Sequence, residues 1–126
     1  MMTLDSLCQQ VGEERLRAMV AAFYRRVRVD ELIGPMYPAE DWEGAEKRLA
    51  DFLIYRFGGP QIYLEQRGHP RLRMRHLPFS IGEKERDRWL MLMGEAMRET
   101  GITEEEAQVM IPFFAQVADM MRNRPE

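Results

Sequence analysis

Apolar residues early in the chain recur at Leu16, Val20, Phe23, Tyr24 and Val27, which are i, i+4, i+7, i+8 and i+11. That spacing puts them on one stripe of a helix from Glu13 to about Arg28, with Arg17, Arg25, Arg26 and Arg28 on an outer, solvated face. A second stripe, Trp42, Ala45, Leu49, Phe52 and Leu53, predicts a helix from Trp42 to about Phe57, with Asp41 as N-cap and Gly58-Gly59-Pro60 as its stop. A third, Trp89, Leu92, Met93, Ala96 and Met97, predicts a helix from Glu83 to about Glu99, opened by Ser80 or Gly82 and ended by Gly101. The last begins at a Thr103/Glu106 capping box and carries Ala107, Met110, Ile111, Phe114, Val117, Ala118 and Met121, with Pro112 expected to bend it or mark its first turns. Shorter pieces are expected at Leu4 to Gln10, capped by Thr3 or Asp5 and broken at Gly12, from Asp30 to Met36 ahead of Tyr37-Pro38, and at Gln61 to Arg67. Helical periodicity throughout makes the chain all-α.

At 126 residues the chain is expected to form one domain over 1–126. Its 18 basic and 21 acidic residues give a net charge of -3, and no long basic run concentrates the arginines, which argues against a nucleic-acid-binding role. One cysteine, Cys8, excludes an internal disulfide framework. No apolar run approaches the ~18 residues of a membrane span, and the start MMTLDSLCQQ has neither a basic lead nor an apolar signal core, so a cytoplasmic protein is expected.

The candidate chemistry gathers between Gly68 and Leu92. His76 follows Arg71, Arg73 and Arg75 and is closed off by Leu77-Pro78-Phe79, where proline cannot continue a helix. If Leu72 to His76 make a helical turn, the two share a face, and Phe79 extends the apolar floor. An imidazole on an apolar floor with cations beside it suits haem, a ring greasy in the middle with two carboxylates at its edge. A single histidine on the iron leaves the other face open for a gas. The alternative is a hydrogen-bonded core histidine. Without a CxxCH motif, any haem would be held non-covalently. His69, between Gly68 and Pro70, is assigned a structural role. Tyr24, on a buried stripe, must find a hydrogen-bond partner, for which a backbone carbonyl is the ordinary choice in an arbitrary helix.

Three segments, Arg56-Phe57-Gly58-Gly59-Pro60, Gly68 through His76 and Pro78 through Leu90, together resemble the group II truncated haemoglobins, and the match runs from about Phe23 to Met97. The resemblance implies a 2-over-2 α-helical sandwich around a b-type haem, with His76 as the proximal iron ligand. It implies distal donors at Tyr24, Tyr37 and Trp89, the last within RDRWL, and a distal pocket lined by Phe23, Ala45, Leu49 and Phe52. Ala45 stands where many globins place a histidine. Arg48, Tyr63 and Arg75 are the candidates for the haem propionates, and Leu72 and Phe79 complete the cofactor-binding set. Gly12 is followed by Glu13 where the family usually carries paired glycines, a departure at this hinge.

The implied function is reversible binding of O2 and other small ligands, namely NO, CO and sulfide, by a monomer or homodimer. Two alternatives differ in class. A haem enzyme detoxifying nitric oxide would need a reductase, and one reducing peroxide would need a distal acid–base group that alanine, tyrosines and tryptophan supply poorly. A helical interaction module would need no cofactor.

Overall fold

The computed structural model describes residues 2–37, 39–61 and 81–123. A 3-10 turn at Leu4–Ser6 leads into α1 (Leu7–Val11), followed by α2 (Glu13–Arg28), a 3-10 turn at Gly34–Met36, α3 (Trp42–Arg56), α4 (Glu83–Glu99) and α5 (Glu104–Met120). All regular structure among the described residues is helical, and no helix there is long and apolar enough to cross a membrane. The turn expected at Gln61 to Arg67, the Leu72 to His76 turn and the Ser80 cap lie outside the described residues.

Helix α2 is the central element, packed against both α3 and α4, while α4 also packs against α5. The pairs α2/α3 and α4/α5 meet through α2 and α4, which gives the two-over-two sandwich. Burial follows from that position. Leu16, Met19, Val20, Ala22, Phe23, Tyr24 and Val27 are all buried, a broader stripe than periodicity alone marks, because α2 is covered from two sides. Each such large apolar side chain contributes roughly 1.5–3 kcal/mol relative to exposure. Glu13 and Glu14 at its start and Arg25, Arg26 and Arg28 at its end complement the helix dipole.

The helix ends are built from local chemistry. Gly12, with φ at 92°, separates α1 from α2 in a conformation few other residues tolerate. The ends of α3 and α4 are Schellman motifs: Gly59 N–H bonds Ile54 C=O and Gly58 N–H bonds Tyr55 C=O, and likewise Ile102 to Met97 and Gly101 to Arg98. The opening of α5 is the expected capping box, with Glu106 N–H donating to Thr103 Oγ1 at 3.1 Å and Thr103 N–H to Glu106 Oε1 at 2.9 Å. Glu106 is fully buried and its other oxygen takes Arg15 at 2.9 Å, tying the start of α5 to α2. Gly82 opens α4, its N–H donating to Glu85 Oε1.

In α5 two expectations change. Ile111 is 54% exposed, and Phe113 takes the buried place, packed edge-on to Phe57 at 5.4 Å with the Arg56 guanidinium over its ring. The stripe therefore runs Met110, Phe113, Phe114, Ala118 and Met121. Pro112 lies on the exposed face well inside α5 and does not mark its start, and it has no N–H to offer the Gln108 carbonyl one turn earlier.

Nor are the α2 arginines merely solvated. Arg25 and Arg26 pair with Glu99 on α4, Arg26 also with Glu95, and Arg28 lies over Trp42. Arg17 reaches Asp51 at 3.0 Å, and Lys47 reaches the same carboxylate at 2.8 Å. Asp51 is only 2% exposed. Its burial pushes the carboxyl pKa up, but hydrogen bonds from Lys47 and Arg17 outweigh this and hold it below the usual carboxylate range. A depressed folded-state pKa stabilises above the unfolded-chain value of ~3.9 and loses that contribution as pH falls through the folded value. Arg17→Ala is therefore expected to cost about 1–3 kcal/mol in urea unfolding at neutral pH, and less in acid. An equal cost at both pH values would show that the arginine acts through packing instead.

Candidate functional site

Phe23 and Tyr24 are adjacent on α2, and consecutive helical residues point about 100° apart. Both are buried because the two directions face different neighbours. Phe23 turns toward α4 and meets Trp89 edge-on, with ring centroids 5.2 Å apart. Tyr24 turns toward the segment entering α3 and meets Tyr37 edge-on at 5.6 Å and Trp42 at 6.3 Å. Trp89 in turn contacts Phe114 at 5.8 Å. A continuous chain of rings thus crosses the molecule from α5 through α4 and α2 to the start of α3. The three predicted donors, Tyr24, Tyr37 and Trp89, stand together within it.

Burial disfavours ionisation of the two tyrosines. Burial raises the Tyr24 hydroxyl well above the ordinary phenol range, and the neighbouring Tyr37 raises it further, while the Arg48 charge acts in the opposite sense. Desolvation pushes the Tyr37 hydroxyl up to about 12, although the Trp89 indole and the Tyr24 hydroxyl, as donors to it, favour its ionised form. Both phenols are therefore neutral donors at any physiological pH, and the Trp89 indole has only a donor to offer.

One face of α3 supplies the apolar counterpart. Ala45, Leu49 and Phe52 fall at i, i+4 and i+7, with Ala45 and Phe52 buried and Leu49 half-buried. Arg48 lies on the same side of the helix and donates to the Asp41 carboxylate at 3.1 Å. Asp41 occupies the N-cap position of α3, but its side chain makes no cap hydrogen bond. Instead it folds over Gly44, where a Cβ would stand 2.3 Å from its Oδ1, and so reaches Arg48. The expected Asp41 cap is corrected accordingly.

Of the described members of the predicted set, ring contacts bring together Phe23, Tyr24, Tyr37 and Trp89, the Arg48 charge acts on Tyr24, and Ala45, Leu49 and Phe52 share the face of α3 on which Arg48 lies. His76, Tyr63, Leu72, Arg75 and Phe79 lie outside the described residues, as does His69. A separate polar cleft lined by Asp5, Tyr55, Arg56, Gly58, Gly59 and Gln61 includes none of the predicted residues. Sequence reasoning placed Trp42 on a buried stripe and missed its contact with both tyrosines. It also missed Asp41 and Asp51 as partners of arginines, since pairs 7 and 34 residues apart leave no periodic signal.

Buried apolar side chains, neutral hydrogen-bond donors and a neighbouring arginine are the side-chain types that suit a flat apolar cofactor with anionic edges and a small ligand that accepts hydrogen bonds. Comparison with known proteins points the same way. The profile of the family described as bacterial-like globin matches residues 6–123. The chain is 38% identical to the group 2 truncated hemoglobin YjbI of Bacillus subtilis (strain 168), over 94% of this chain and 89% of that one. The crystal structure of the group II truncated hemoglobin from Bacillus anthracis superposes with a TM-score of 0.90 at 33% identity, covering 100% of this chain and 95% of that one. The X-ray structure of truncated oxygen-avid haemoglobin from Bacillus subtilis gives a TM-score of 0.87 at 36% identity, covering 93% and 98%. The chain belongs to the bacterial-like globin family, as a haem-binding globin of the group II truncated haemoglobin kind.

Proposed function

We propose that this globin binds O2 reversibly, and also NO, CO and sulfide, at the iron of a non-covalently held b-type haem. The observation that carries the reading is the convergence of Tyr24, Tyr37 and Trp89, two phenols whose burial disfavours ionisation and an indole that can only donate. When bound, haem supplies an iron that takes up a diatomic gas on one face. His76 would hold it by an imidazole nitrogen, with Leu72 and Phe79 as apolar floor, while Phe23, Ala45, Leu49 and Phe52 would exclude water from the ligand side. Arg48, Tyr63 and Arg75 would meet the propionates, for which the Arg48 guanidinium would exchange or share its contact with Asp41.

Relatives support the reading: one is described as oxygen-avid, and it shares the fold of this chain closely. A ligand that gains negative charge on binding draws roughly 1.5–3 kcal/mol from one good donor, on the order of ten- to a hundredfold in affinity. Oxygen accepts such bonds well and carbon monoxide poorly. Tyr24→Phe combined with Trp89→Phe is therefore expected to speed O2 release by about a hundredfold or more, and CO release by less than about tenfold, in stopped-flow displacement. Equal acceleration for both gases would mean that the rings act by bulk alone and would remove the hydrogen-bonding account.

A further inference from the structure

Tyr37 follows a single 3-10 turn, Gly34–Met36, and sits in extended backbone with φ at -104° and ψ at 143°. Its N–H donates to Gly34 C=O at 3.1 Å, a bond that fixes the turn but leaves the side chain free to rotate. The ring must therefore be held by its neighbours. Tyr24 meets it edge-on, and Trp42 lies flat against it, with centroids 5.6 Å apart and planes 26° from parallel. Trp42 is the first residue of α3, so its position is set by a long helix. Its ring touches Tyr24 as well, and the Arg28 guanidinium at the end of α2 sits 5.4 Å from its centroid. One indole thus joins the end of α2, the start of α3 and the loop that carries Tyr37.

We propose that Trp42 is a positioning residue that holds the Tyr37 ring against Tyr24 and Trp89, and through Tyr37 sets how tightly a ligand is retained. The inference rests on the ligand role proposed for Tyr37. Stacking of this kind has geometric preferences that a smaller side chain cannot reproduce, whereas phenylalanine keeps the flat face. Arg28 adds a cation–π contact on the indole, partly exposed and so of modest strength. Without the stack the Tyr37 ring gains rotamers, its hydroxyl reaches water, and the fraction of time it spends as a donor in the pocket falls.

The test compares Trp42→Ala and Trp42→Phe in the haem-loaded protein, alone and combined with Tyr37→Phe. Two readouts are taken: O2 release, and NMR titration of ring-labelled tyrosine with the Tyr37 signal identified by its absence in Tyr37→Phe. Trp42→Ala is expected to speed release roughly two- to tenfold and to move the Tyr37 titration down toward that of a free phenol. Trp42→Phe should restore most of both, and Trp42→Ala should add nothing once Tyr37 is phenylalanine. An unmoved Tyr37 titration in Trp42→Ala, or equal acceleration with and without the Tyr37 hydroxyl, overturns the inference. Unchanged release in Tyr37→Phe alone would instead overturn the ligand role on which it rests.

Discussion

Replacing His76 with alanine is expected to abolish stable haem binding, so that the purified variant lacks the haem absorption of the parent protein. The proposed hold on the iron depends on one nitrogen, and the chain has few substitutes. Its other histidine is His69, between Gly68 and Pro70 in sequence, and its single cysteine, Cys8, is buried against Gly59 on the N-terminal side. Among the described residues no three histidine, cysteine, aspartate or glutamate side chains gather to form another metal site. A cofactor that binds only the folded chain also stabilises it by mass action, so the variant should unfold at lower temperature. Free imidazole added to the variant should restore part of the absorption by occupying the vacated place. A variant that keeps both haem and its spectrum would remove His76 as the ligand.

The second large effect concerns stability and lies away from the ligand pocket. Gly58 has φ at 89°, and a Cβ built on it would stand 1.8 Å from the carbonyl oxygen of Asp5. Backbone cannot yield as a flexible side-chain tip does. The N-terminal turn is docked here, with Cys8 N–H donating to Phe57 C=O at 2.9 Å. Gly58→Ala must therefore displace that segment in addition to bearing the left-handed conformation, and is expected to cost about 3 kcal/mol or more in urea unfolding. Two other glycines provide the controls. Gly101, at φ 74° with open space around its Cβ position, should lose only about 1 kcal/mol on replacement by alanine. Gly94, inside α4 with no obstruction, should gain up to about 1 kcal/mol. Equal costs at all three positions would contradict the steric account.

These glycines also illustrate how much of the fold was legible. Gly58-Gly59-Pro60 read as a helix stop, and it is one, but the close approach of Asp5 and Cys8 that makes the glycines hard to replace joins segments some fifty residues apart. Local signals of that kind set the bounds of α2 and α4 and the capping box of α5 correctly. They were less able to choose a face in α5, where Ile111 and Phe113 are both apolar and only packing against Phe57 decides which is buried. Tyr24 was legible as a buried polar ring because it lay on a clean stripe. Its partner Trp42 was not, since the residues between them include a loop that periodicity cannot place. The pairing of Asp51 with Arg17 was invisible for the same reason, and a buried carboxylate in an otherwise ordinary helix gives no warning in composition.

The family of the chain and the clustering of Tyr24, Tyr37 and Trp89 both bear on a single central claim, that this protein carries haem and binds O2 on it. The visible absorption spectrum of the purified protein, first ferric and then reduced under oxygen, tests it most directly. An intense haem band that converts to a stable oxygenated form is the predicted result. A protein that shows no haem band even after reconstitution, or that takes up haem yet forms no oxygenated species on reduction, would contradict it.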